Sequence, residues 1–194
     1  MGEKKPLQSN IHILFLFVTV VFIIASLLGY LNGSNFIWML DLIMDFFSEG
    51  FSEITPFELF AFIFINNTVK SFLVIPLGAV LAIPPLIFIF FNGFIIGIVG
   101  YGLSEIYPSG ILFLFIGILP HGIIELIAVF WSSAISLRVG ISTINKLRGR
   151  EKGNVKIEII TGMRTFVLKI LPLLLLAALI EAFITPEIIN IYVA

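Results

Sequence analysis

Five stretches of the chain are apolar for long enough to cross a bilayer, and polar residues collect between them. The runs cover residues 11–31, 57–83, 86–104, 111–139 and 166–185. A spanning helix needs about 20 apolar residues at 1.5 Å rise per residue. Each run therefore predicts one membrane helix. The first follows a short head carrying Lys4 and Lys5. It is too long for the apolar core of a signal peptide, and no small-residue cleavage site stands out, so it is expected to be retained. Pro84-Pro85 predicts a tight break after the second run, because proline cannot continue the helix ladder and restricts the residue before it. The segment from Glu105 to Gly110 predicts a short turn.

Two runs exceed a straight span. The second and fourth would measure roughly 40 and 43 Å as helices, against about 30 Å of hydrocarbon. Tilt absorbs part of the excess, and a break would absorb the rest. Gly117 and Pro120 predict that the fourth run divides into a half-helix over 111–118 and a full helix starting near Pro120. Pro172 lies inside the fifth run and Pro186 just beyond it. Two further segments have a helical pattern. Over 36–53, Asp41, Asp45, Glu49 and Glu53 fall at four-residue steps, with Trp38, Leu42, Ile43, Phe46 and Phe47 covering much of the rest. This predicts an amphipathic helix on the outer interface whose acidic stripe is a solvated face. Over 140–165 the chain is basic, and Asn154 is placed to cap a helix that leads into the fifth run.

Lysine and arginine set the orientation of such a chain. Of 11 Lys and Arg, all but Lys70 lie in the head or around residues 138–169, and with five spans these regions share one side. The connections after the first and third spans carry acidic residues only. The reading is a cell-membrane protein with its N-terminus cytoplasmic and its C-terminus outside. Composition agrees: 59% of residues are hydrophobic and 12% charged, and the mean hydropathy is +1.15. Soluble domains are roughly a quarter charged. A net charge of −1 with few basic residues argues against nucleic-acid binding, and the lack of cysteine excludes disulfides and thiolate metal sites. The expected fold is one all-α polytopic membrane bundle over 1–194 with no cofactor.

The chemistry rests on polar residues inside apolar runs. These are Asn66, Asn67, Lys70, Asn92, His121, Glu125 and Glu181. An ionised side chain at mid-bilayer costs about 2.5–3.5 kcal/mol on insertion scales, so such groups face the bundle interior and pair. Lys70 is expected to pair with Glu125 or Glu181, through Asn66 or Asn67 if not directly. The asparagines read as hydrogen-bonding glue between helices, and Gly93 and Gly97 as a close helix contact. His121 and Glu125 share a helical face. Together with Glu181 they form a structural cluster, a proton or cation site, or, as the weakest reading, three metal ligands.

Asn92-Gly93-Phe94-Ile95-Ile96-Gly97, Leu119-Pro120-His121-Gly122 with Glu125, and Ile180-Glu181-Ala182-Phe183-Ile184-Thr185-Pro186 resemble the stage II sporulation protein M family of integral membrane proteins. Asn66-Asn67 also fits, and the resemblance extends over 57–186. Its leucine-proline-histidine-glycine motif with the following glutamate is the specific part. The resemblance implies that Asn66, Asn67, Asn92, His121, Glu125 and Glu181 are the characteristic polar positions. Its namesake helps hold cell-wall hydrolases in a complex at a septal membrane, which implies assembly rather than catalysis. The first functional reading is thus a non-enzymatic scaffold whose partners are the bilayer, other membrane proteins or a second copy. The second is a transporter or channel component using Lys70, His121, Glu125 and Glu181 at the midplane. An intramembrane metal-dependent hydrolase is third.

Overall fold

The computed structural model describes residues 11–40, 42, 54–106, 110–149 and 154–188, with the backbone alone from 110 to 120. The described elements are helical: α1 (Ile11–Leu31), α2 (Pro56–Leu77), α3 (Ile83–Ile106), α4 (Gly110–Leu147), α5 (Val155–Thr165) and α6 (Leu171–Phe183). Five helical runs are long and apolar enough to span a membrane, the last formed by α5, α6 and the turn between them. The protein is an all-α polytopic membrane bundle. The proposed amphipathic segment over 36–53, with Asp41, Asp45, Glu49 and Glu53, lies almost wholly outside the described residues.

The breaks fall elsewhere than proline suggested. α2 ends at Leu77, and the turn through Gly78 comes before Pro84-Pro85, which stand in the first turn of α3. Proline favours the start of a helix because its missing N–H falls among donors that have no partner there. Leu81 and Ala82 take the left-handed conformation in this turn, with φ of 54° and 63°. The turn is tied down from both sides. A methyl group on Gly78 would overlap the Ser136 carbonyl, and one on Gly140 would overlap Ala82. The expected division of the fourth run is also overturned. α4 passes through Gly117 and Pro120 as one helix of 38 residues, about 57 Å long. Membrane helices tolerate proline where neighbouring groups satisfy the freed carbonyl.

The start of α2 obeys its local signals. Thr55 caps it and Glu58 returns the bond, its carboxylate accepting from the Thr55 N–H at 2.8 Å. Asn154 caps α5 as expected, accepting from the Lys156 and Ile157 N–H groups at 3.0 and 3.4 Å. Between α5 and α6, residues Phe166–Ile170 form a π turn, closed by a bond from the Leu171 N–H to the Phe166 carbonyl. Pro172 follows at once, in the first turn of α6.

α4 is the central post, buried over residues 128–140 except at Trp131 and Arg138, which are partly so. On one side Val18, Phe22, Ile89 and Phe130 join α1, α3 and α4. On the other, Ile75, Ile135, Phe166 and Leu174 join α2, α4 and the last run. α1 and α3 form the closest seam. A methyl at Gly93 or Gly97 would strike the Phe22 or Ser26 carbonyl, and one at Gly29 would strike Phe94. The glycine pair therefore permits close helix contact, as its spacing predicts.

Candidate functional site

His121 lies on α4 and Glu181 two residues before the end of α6. Nδ1 of His121 forms an ion pair with a Glu181 carboxylate oxygen, both side chains being largely buried. The same nitrogen stands 3.3 Å from the Thr185 hydroxyl. That hydroxyl donates to the Ile180 carbonyl at 3.3 Å. Thr185 is itself buried, in a short helical turn with Pro186 just after the α6 cap. Gly122 is buried beside the histidine. Two distant parts of the motif are thus brought together. Sequence reasoning missed Thr185 as a participant, since a threonine before a proline at a span end reads as a turn residue.

Glu125 lies one turn along α4, half-buried. It is within electrostatic range of His121, Glu181 and Lys70. His121, Glu125 and Glu181 do not form a three-ligand metal group, and none of three or more His, Asp or Glu occurs among the described residues. The ligand set proposed for the hydrolase reading is therefore not assembled.

Lys70 makes no ion pair with the His121–Glu181 pair among the described residues, although it acts electrostatically on Glu125. The Phe183 ring meets the Phe60 ring at 6.5 Å, which places the His121–Glu181 pair beside the first turns of α2. Lys70 is ten residues further along α2, about 15 Å away along the axis. No direct ion pair joins Lys70 to Glu125 or Glu181 among the described residues; Glu125 feels the Lys70 charge at longer range. The lysine side chain is exposed and makes no ion pair among the described residues. Lys70 lines, with Leu73 and Leu77, a groove between α2 and α3. Asn92 faces the same groove, and its amide donates to the Phe88 carbonyl of its own helix at 2.7 Å rather than across helices. Asn66 and Asn67 are partly buried, with no side-chain hydrogen bond among the described residues. The His121–Glu181 pair and the groove lined by Lys70 and Asn92 are separate contacts, with Glu125 in electrostatic range of both His121 and Lys70.

A second ion pair escaped sequence reasoning. Arg138 Nε on α4 meets Glu158 of α5 at 2.8 Å, both side chains largely buried. Arg138 read as a topology signal because it ends an apolar run, and Glu158 was hidden in a polar segment. Nearby, the Lys169 ammonium lies 5.5 Å from the centre of the Trp131 ring. Among the described residues, four buried hydroxyls, those of Thr68, Ser71, Ser132 and Ser133, have no hydrogen-bond partner.

The fold and these pairs define a five-span helical membrane protein whose long central helix is clamped to its last helical run by two ion pairs. The family model described as stage II sporulation protein M matches residues 13–186. The chain belongs to the stage II sporulation protein M family. Neither the curated proteins nor the solved structures contain a match to it.

Proposed function

We propose that this protein is a non-enzymatic scaffold or assembly component of a cell membrane, with its N-terminus in the cytoplasm and its C-terminus outside. One observation supports the reading above others. The two ion pairs, His121–Glu181 and Arg138–Glu158, join α4 to the last helical run near its two ends. Charge placed in apolar surroundings is here used to fix one helix arrangement, the best-attested use of buried ion pairs. α4 is also about 27 Å longer than the hydrocarbon is thick. Its Leu147 end is exposed, as are Ile157 and Ile160 on α5.

A second reading has its own support. The unpartnered hydroxyls of Thr68, Ser71, Ser132 and Ser133 lie on α2 and α4, and Glu125 lies further along α4 toward His121. In a transporter or channel component these groups would carry protons or cations. Purified protein in liposomes separates the two. A scaffold leaves the vesicles as tight to protons as empty ones. Proton flux that disappears in Glu125→Gln overturns the scaffold and establishes the second reading.

A further inference from the structure

α2 and α3 are joined by a tight turn, yet they touch sparingly. The groove between them measures about 360 Å³ and is walled by Leu73, Leu77, Phe88, Phe91 and Ile95, with Lys70 and Asn92 as its polar members. It opens sideways from the bundle, where a membrane protein meets lipid.

We propose that this groove binds one anionic phospholipid of the surrounding bilayer, its phosphate held by Lys70 and Asn92 and its acyl chain running past Phe91 toward Ile95. Charge decides the occupant. Lys70 is an exposed ammonium in an apolar wall, with no ion-pair partner among the described residues and Glu125 acting on it only at longer range. A cation at such a depth is costly unless a counter-charge or water reaches it. Asn92 uses one amide proton on the Phe88 carbonyl. A second N–H then remains available.

Position agrees with charge. Lys70 stands seven residues, about 10 Å, before the Leu77 end of α2. Long lysine stems carry their ammonium toward the nearer interface. That end of the bundle is the basic one, since α2 reaches there the part of α4 and α5 near Arg138 and Gly162. Basic ends of membrane proteins attract the anionic leaflet. A free phosphate would satisfy the lysine but leave the apolar wall uncovered, so the bilayer lipid is the better occupant.

Native mass spectrometry of the full chain, released from detergent with phosphatidylglycerol, phosphatidylcholine or inorganic phosphate, tests this. The wild type should retain one phosphatidylglycerol in preference to phosphatidylcholine. Lys70→Met should weaken that binding about fivefold, whereas Lys70→Arg and the distant Lys156→Gln should keep it. Leu73→Trp, which fills the groove without changing its charge, should also lose the lipid. Equal binding of both phospholipids overturns the proposal, as does undiminished binding by Lys70→Met. Occupancy by phosphate alone overturns it too, as would a dimer that Leu73→Trp dissolves.

Discussion

At the residue scale, the worth of His121 and Glu181 lies in their coupling. Each is largely buried, and each is the other's ion-pair partner. Interhelical polar contacts in membranes contribute about 0.6–1.7 kcal/mol in double-mutant cycles. His121→Ala and Glu181→Gln, alone and together, should show a coupling of about 1 kcal/mol in thermal unfolding of the detergent-solubilised protein. Strict additivity would show that the contact carries no stability. Arg138 and Glu158 are buried more evenly. Removing one partner leaves a buried charge, so Arg138→Met should cost about 3–5 kcal/mol, while Arg138→Met with Glu158→Leu should recover most of it. Equal losses in the single and double variants would contradict that account. His121, Glu125 and Glu181 were legible in the sequence because ionisable groups in apolar runs are conspicuous. Lys70 was equally conspicuous, but its partner was not legible. Spacing along one helix fixes which residues share a face, not which neighbour that face meets.

At the scale of elements, hydrophobic run length located five spans, and glycine spacing located the α1–α3 seam. Proline was the weaker guide. It marks a start as readily as a stop, so Pro84-Pro85 opened α3 and Pro120 interrupted nothing. The seam makes a sharp prediction. In Gly97→Ala the new methyl meets the Ser26 carbonyl, and backbone cannot swing aside as a side chain can. Overpacking of this kind costs about 1–3 kcal/mol, and a lower melting temperature in detergent would record it. An unchanged melting temperature would mean that α1 and α3 can separate freely. The π turn at Phe166–Ile170 was not legible, since it depends on fitting two packed faces on either side. Such turns accommodate one extra residue within an α-helix. Deleting exposed Leu168 should convert the turn to α-helix and leave both flanking faces in place. Deleting Leu174 from α6, which is buried, should rotate Glu181 off His121 and destabilise far more. Comparable melting temperatures for the two deletions would refute the phase argument.

For the whole molecule, parity governs the topology. With five spans, the turn after α1 and the end of α4 must lie on opposite sides of the membrane. The orientation proposed from the basic residues puts the α4 end in the cytoplasm. The chain contains no cysteine, so single introduced thiols report cleanly. Ser34, in the 3₁₀ turn after α1, and Leu147, at the end of α4, are both exposed. Neither side chain takes part in an ion pair or a hydrogen bond among the described residues. In intact cells a membrane-impermeant maleimide should label Ser34→Cys and spare Leu147→Cys until the membrane is opened. The reversed pattern would retain five spans and overturn the orientation, because only the charge argument would have failed. Labelling of both from one side would overturn the span count itself. The two failures are separable because helix number and charge distribution are independent features of the sequence.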